Sequence, residues 1–528
     1  MREIIFQKLV KLLKRKFSFV SFSDEEIEVI YPPDAFGDYS TNLALKMARK
    51  IGKNPREIAL ELKNELEKED IEKKIFAKIT VEGAGFLNFY LSSDSVAEII
   101  RKIKAEKNDY GNSNLGKGRK IHLDFVSANP TGPIHLGNGR GGPLGDVLAN
   151  IFEKVGFFVW REFYVNDFGN QVKVLGHSIL KDAKAQYRGE YIDELAQKNT
   201  QTDPFLAGRE ATKTILQEMI VPAMEKIGIN FDQYFLESSL HESGEVEKTF
   251  ALLKKKGLSY EKDLALWFRA SQFGDEKDRV IRKSTGEITY FGGDIAYHLN
   301  KLMKRNFDLA MDIWGADHHG DVARIKGAMK ALGYENKVNI LLTQNLTVIK
   351  NGEEFKMSKR KGQYISLDDL ISEVGCDAVR FIFLTYSADS PMIFDIDLAK
   401  ETSNKNPVYY VKYAYARICG ILEKTENQNI DIEKADFEKM NNEKERELAR
   451  HLMRFPDLVS EVAQNYEVHK LTNYALKLAD KFHSFYHACR ILDEEESLAA
   501  ARKELVFATK IVLAETLRLL GIEAPEKM

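Results

Sequence analysis

A chain of 528 residues is too long for a single hydrophobic core, so two to four domains are expected. Hydrophobic residues make up 44% and charged residues 30%, a soluble globular profile, and no run of about 18 apolar residues is present to cross a membrane. A net charge of −3 excludes indiscriminate attraction to nucleic acid, and Cys376, Cys419 and Cys489 lie too far apart for a disulfide framework or a zinc site, so a reducing cytoplasm suits them.

The first residues, MREIIFQKLVKLLKRKF, are basic and amphipathic. Ile5, Leu9, Leu12 and Leu13 recur at helical spacing, and no small-residue cleavage site follows, so the segment reads as a first helix packed on its own domain rather than a targeting signal. Residues 1–108 form a small α/β unit, with helices over Asn42–Ile51 and Pro55–Glu67 and strands over Phe76–Val81 and Gly85–Leu91. The glycine-dotted stretch NDYGNSNLGKGRK then reads as a linker.

Residues 109–404 open with an apolar run, Ile121–Ser127, that feeds the turn ANPTGP and a helix over Gly139–Val155. A strand, a tight turn and a helix in succession begin a nucleotide-binding α/β layer. FVWREFYV, then DLAMDIWG before a helix over His318–Leu332, then VNILLTQNLTVI continue the alternation and predict a mostly parallel sheet, with helix-rich insertions over 172–285. Residues 405–528 read as helices only. Leu471, Ala475, Leu478, Phe482 and Phe485 form one apolar stripe; Val506, Leu513, Leu517 and Leu520 form another, stopped by Gly521 and Pro525. This segment holds 19 Lys+Arg against 21 Asp+Glu, so charge alone does not advertise RNA binding.

The local chemistry is concentrated in a few stretches. In ANPTGPIHLGNGRGG, small residues let backbone approach a phosphate, the following helix offers free N–H groups, and His135 sits at the junction. Far downstream, Lys356-Met357-Ser358-Lys359-Arg360 lies in a glycine-flanked loop. Two lysines on long stems can meet charge that builds on a departing pyrophosphate. Adjacent His318 and His319 beside Asp317 invite a metal reading, but their spacing is wrong for the helical two-histidine zinc motif, and no metal ligation by side chains is expected.

Together these resemble the class I aminoacyl-tRNA synthetases: His135-Leu136-Gly137-Asn138 resembles their His-x-Gly-His, with Asn138 a departure that keeps a donor but no proton charge, and Lys356–Arg360 resembles their Lys-Met-Ser-Lys-Ser. SANPTGPIHLGNGRG, YVNDFGNQ, TYFGGDIAYH, GADHHGD, GCDAVRF, NPVYYVKYAYARI, the early FGDYSTN and the closing LGIEAPEKM resemble the arginyl enzymes in particular. The resemblance implies an arginine–tRNA ligase that forms arginyl-adenylate from ATP and passes arginine to the 3′ end of tRNA(Arg). It also implies a Rossmann-like parallel-sheet catalytic domain (109–404) between a tRNA-elbow-binding domain (1–108) and an all-α anticodon-binding bundle (405–528).

By the same resemblance His135, Asn138, Lys356 and Lys359 are catalytic. ATP is bound by Gly132, Pro133, His135, Gly137, Asn138, Gly315, Asp317, Met357, Ser358 and Lys359. Arginine is held by Ser127, Asn129, Glu237, Tyr290, Asp294 and His318. A guanidinium has five donors in a fixed plane, so carboxylates such as Glu237 and Asp294 suit it. Tyr290 and Asp294 are four apart, on one face of a helix, although Asp294 is also placed to cap the helix IAYHLNKLM. Some arginyl enzymes carry a lysine before the histidine motif in place of the second lysine of the basic loop; here Gly132 stands there and Lys359 is present. Magnesium with ATP, no protein-bound zinc, no membrane, a cytoplasmic monomer, and Tyr409, Tyr410 and Tyr413 as candidates for stacking on anticodon bases complete the expectation. Of the rivals, a cysteinyl enzyme needs zinc ligands this chain lacks, a small nucleotidyltransferase does not need 400 further residues, and a non-catalytic RNA-binding relative would lose the motifs.

Overall fold

The computed structural model describes residues 1–70, 74–355 and 365–528. The N-terminal helix, Arg2–Lys16, carries Glu3 in its first turn and Lys14, Arg15 and Lys16 in its last, which complements the helix dipole. It buries Ile5, Leu9, Leu12 and Leu13, as their spacing predicts. Helices Leu43–Ile51 and Pro55–Glu69 follow, the second capped by the Asn54 side chain with proline in its first turn. They pack on an antiparallel sheet in which Phe86–Leu91 lies between Tyr39–Thr41 and Phe76–Glu82.

The stretch expected to be a linker is packed instead. Tyr110 is buried, its hydroxyl donates to Leu452 O at 3.2 Å, and its ring stacks on Phe455 at 6.1 Å. Gly116 N donates to Val155 O and Gly118 N to Gly156 O. Glycines allow this close backbone approach; a Cβ on Gly116 would lie 2.4 Å from Phe157 N.

The central sheet has five parallel strands in the spatial order Val338–Thr343, Leu309–Gly315, Lys120–Asp124, Phe158–Val165, Gln233–Leu236. VNILLTQNLTVI is therefore not one element: Val338–Thr343 closes this sheet, whereas Leu346–Lys350 pairs in parallel with Met392–Asp395 in a separate one. Strand periodicity sorts the side chains by face. Ile121, Leu123, Met311, Ile313, Phe163 and Val165 enter the largest apolar core, which continues through the C-terminal helices. The alternate positions, His122, Asp124, Glu162 and Asp312, are buried and polar. Ala310 and Trp314 of that second face pack with helix Tyr290–Leu299 in another core.

The C-terminal helices span Pro407–Asn427, Glu443–Met453, Phe455–Asn465, His469–Ala488 and Glu496–Leu520. Both predicted apolar stripes are buried, and Gly521, at φ +66°, ends the last helix.

Candidate active site

Counted in chain order, the central strands stand 3-2-1-4-5 across the sheet. Lys120–Asp124 and Leu309–Gly315 are thus neighbours whose onward connections diverge, the place at which an open α/β sheet leaves a crevice beyond its carboxyl ends. In open α/β sheets this is where ligands bind.

On one side of the crevice runs the loop from Asp124 to His135. Val126 and Ser127 both take left-handed backbone conformations, at φ +68° and +38°, which is costly for a β-branched valine. The turn is held by Ser127, whose Oγ donates to Asp124 Oδ1 at 2.5 Å and accepts from Tyr164 N at 2.9 Å. The Ser127 hydroxyl is thereby committed to shaping the loop. Asn129 is exposed, and its backbone carbonyl accepts from Thr131 N at 2.7 Å. Gly132 and Pro133 are half-buried. A Cβ on Gly132 would come within 2.9 Å of Tyr191 Oη, so a side chain there would push the tyrosine ring aside.

His135 sits at the N-cap of the short helix Leu136–Gly139, and Arg140 keeps helical angles into Gly141–Lys154. Gly137 and Asn138 face solvent on the first turn, while Leu136 is buried. Lys356, Met357, Ser358 and Lys359 lie outside the described residues. The chain after them returns to the histidine motif: Leu367 N donates to Ile134 O at 2.9 Å, and Ser366 forms a β-bridge with His135.

Across the crevice, helix Tyr290–Leu299 begins with Thr289, whose hydroxyl accepts from Gly292 N. Asp294 therefore lies one turn inside the helix and is not its cap; it shares a face with Tyr290, which is exposed. Glu237, buried at the start of helix Glu237–Glu242, brings Oε1 to 3.7 Å from where a Cβ on Gly293 would stand. Its Oε2 lies 3.1 Å from the Asn166 amide nitrogen, when that amide is turned to donate there and to Phe168 O. Asp167 fixes the same helix by accepting from Ser238 N at 2.8 Å and Ser238 Oγ at 2.6 Å. Asp294 is half-buried, yet burial of its carboxyl is the largest influence on it. With the Glu237 carboxylate adding to that and His298 opposing, its pKa is pushed up to about 7.

At the end of Leu309–Gly315, Gly315 caps the turn to helix His319–Leu332, with Asp317 and His318 exposed. His318 Nδ1 lies 3.4 Å from Asp321 Oδ2, and its ring stands 5.9 Å from Trp314. Among the described residues no group of three or more His, Cys, Asp or Glu is gathered to hold a metal.

The polar layer beneath the crevice did not emerge from the sequence reading. Asp124 and Asp312 are registered partners on adjacent strands, both buried. Fully buried Lys301 bridges them, with Nζ at 3.1 Å from Asp124 Oδ2 and 2.8 Å from Asp312 Oδ1. His298 continues the chain to Asp312 Oδ2 and to the backbone carbonyl of Asp294, both at 2.8 Å. Alongside, Glu162 receives Tyr297 Oη at 2.7 Å and both Arg305 Nη atoms, and lies 2.9 Å from His122 Nε2. The one local signal was charge within the strands, HLD and MDIW, where a parallel sheet covered on both faces would carry apolar residues.

Three family models match the chain. Residues 1–91 match the arginyl tRNA synthetase N terminal domain, 99–198 and 182–383 match the catalytic domain of class I (R) tRNA synthetases, and 411–528 match the DALR anticodon binding domain. The arginine–tRNA ligase of Carboxydothermus hydrogenoformans is 42% identical over 98% of this chain and 97% of that protein. That of Thermotoga maritima is 41% identical over 99% of both. Among solved structures, Thermus thermophilus arginyl-tRNA synthetase superposes with a TM-score of 0.78 at 23% identity over the whole of both chains, a likeness of fold.

Proposed function

The chain belongs to the class I arginyl-tRNA synthetases, and from that premise we propose how its own side chains divide the charging of tRNA. The reaction is ATP-dependent: arginine becomes arginyl-adenylate with release of pyrophosphate, and then passes to the 3′ end of tRNA(Arg) with release of AMP.

The observation that carries the assignment is the approach of Glu237 to the helix turn bearing Asp294, at the carboxyl edge of the sheet. The two carboxylates, with Tyr290 above them, take the guanidinium, whose planar donors need acceptors on more than one side. Asn129 meets the α-amino end on a loop shaped by Ser127, and His318 closes the far side. Gly132, Pro133, His135, Gly137 and Asn138 line the path of the ATP phosphates. Gly315 and Asp317 take the nucleoside. Met357, Ser358, Lys356 and Lys359 belong to the leaving pyrophosphate. His135 donates to phosphate oxygen as charge builds there, and the adenylate is activated enough that positioning serves the second step.

Magnesium comes with ATP, carried on its phosphates. The division into 1–108, 109–404 and 405–528 gives tRNA elbow, chemistry and anticodon each their own unit. No helix of the described residues is long and apolar enough to cross a membrane; we place the enzyme in the cytoplasm, as a monomer.

Charging assayed against a panel of amino acids should be confined to arginine. Asp294→Asn should raise the arginine KM roughly tenfold to a hundredfold, the worth of one hydrogen bond to a charged group, about 1.5–3 kcal/mol. Unchanged kinetics in that variant would remove Asp294 from the pocket.

A further inference from the structure

His298 is buried, and both of its ring nitrogens meet acceptors. Nε2 stands 2.8 Å from the Asp312 carboxylate and Nδ1 stands 2.8 Å from the carbonyl oxygen of Asp294. A carbonyl has no proton to give. Burial alone would raise Asp312, but Lys301 and His298 hold it well below the ordinary carboxylate range, so it too has none. The ring thus ties the Asp312 carboxylate to the helix turn that carries Asp294. Asp124 and Asp312, bridged by Lys301, form with His298 one buried polar set. Buried charges persist in such mutually paired sets and are costly outside them.

The same helix that presents Asp294 ends in a π-turn, Asn300–Lys304. That turn carries Lys301 under the sheet to Asp124, the residue that clamps Ser127 on the opposite wall. Wide turns of this kind interrupt helices mostly where function demands a particular side-chain placement.

We propose that His298, pinned between the Asp312 carboxylate and the Asp294 carbonyl, is a positioning residue for arginine: it fixes the helix turn of Asp294 from below so that the Asp294 carboxylate meets the guanidinium. This rests on the assignment of Asp294 to the arginine pocket. The groups that bear on Asp294 come from several walls: Glu237 from helix Glu237–Glu242, with His241 behind it, Asp321 from helix His319–Leu332, with His318 beside it, Asp312 from its strand, and Tyr164 from Phe158–Val165. His298 opposes the acidic ones. Arginine requires the ionised carboxylate, so the arginine KM of the wild-type enzyme rises as pH falls through about 7 and is flat well above it.

The test is the arginine KM and kcat of the full-length enzyme in tRNA charging from pH 6 to 9, for wild type, Asp294→Asn and His298→Gln. Glutamine can keep the bond to Asp312 but not both bonds of the ring. Its arginine KM should be about fivefold higher at pH 7, while kcat at saturating arginine stays within about twofold. A His298→Gln profile that superimposes on wild type, or a loss carried by kcat alone, overturns the proposal. If Asp294→Asn leaves KM and its pH dependence intact, the pocket assignment itself fails, which a failure of His298→Gln alone does not imply. Should His298→Gln not fold, the same comparison on His298→Asn decides, and an arginine KM equal to wild type in that variant overturns the proposal.

Discussion

The backbone of His135 is held by its neighbours. Leu136 is buried beneath it, Ile134 O accepts from Leu367 N, and its backbone carbonyl accepts from Gly139 N at 2.8 Å. A side chain so anchored can meet charge that appears only in the transition state without reorganising at that moment. His135→Ala should therefore lower the rate of adenylate formation by about 10²–10³, as loss of one transition-state donor does, with arginine KM little changed. Wild-type charging by that variant would end its catalytic assignment. Asn138, exposed one turn on, keeps a donor, so Asn138→His should be close to neutral. Residues of this kind are legible in sequence because glycines and a polar side chain within a short loop state their own requirement. His298, Lys301 and Asp312 are not. Lys301 finds Asp124 across 177 positions, and only the register of two parallel strands brings Asp124 beside Asp312. The left-handed turn at Val126-Ser127 is likewise hidden, since nothing local in valine predicts it.

Elements were readable where periodicity was strong, and less so where backbone meets backbone. Phe158–Val165 and His319–Leu332 fall where FVWREFYV and the segment after DLAMDIWG place them: the helix buries Ile325, Ala328, Met329 and Leu332, and the strand sets Val159, Phe163 and Val165 on one face. Helices Asn170–Ile179 and Pro204–Ile215 owe their packing instead to two glycines that carry no such pattern. A Cβ on Gly176 would sit 1.6 Å from Pro204 O, and one on Gly208 would sit 1.9 Å from Val172 O. No side-chain rearrangement relieves contact with a carbonyl, so the helices must separate. Gly208→Ala should cost about 1–3 kcal/mol or somewhat more, the range for overpacking a close contact, although alanine is the better helix former. The measurement is the urea midpoint with an unchanged slope. Because Asn170 follows directly on the loop carrying Asn166 and Asp167, the arginine KM should rise with it. A midpoint at or above wild type would mean that the helices are free to shift.

At the scale of the molecule, the anticodon-binding bundle is continuous with the catalytic unit. One apolar core runs from Ala97 to Ile522. Buried Lys154 pairs with Glu515 at 2.7 Å, Asn150 donates to Leu519 O at 3.1 Å, and fully buried Arg380 joins Leu520 O, Ile227 O and Asp146. The N-terminal unit is tied to the same bundle through Asp38 and Arg450 at 2.6 Å and through Tyr31 and Asp457. Deleting residues 405–528 would strip more than two-fifths of a shared core and take Glu515 from Lys154 and Leu520 O from Arg380, so that deletion should fail to fold and cannot report on recognition. Surface substitutions can. On helix Pro407–Asn427, Tyr409 and Tyr413 stack at 6.3 Å with their planes 5° apart, and Arg417 lies over Tyr413 at 5.2 Å and over Tyr486 at 5.0 Å. Tyr410 turns toward His483, at 5.2 Å. These rings are half-buried, with an aromatic edge and a guanidinium together at the surface, the combination on which an unstacked base settles. Tyr409→Ala and Arg417→Ala should each raise the tRNA KM by roughly tenfold, the effect of losing about 1–3 kcal/mol of base stacking. Tyr409→Phe should retain wild-type behaviour, because the ring face and not the hydroxyl is used. Arginine KM at saturating tRNA should be unchanged in all three, since none touches the crevice. If Tyr409→Ala and Arg417→Ala both keep the wild-type tRNA KM and still discriminate against an altered anticodon, the bases are read from another face of the bundle.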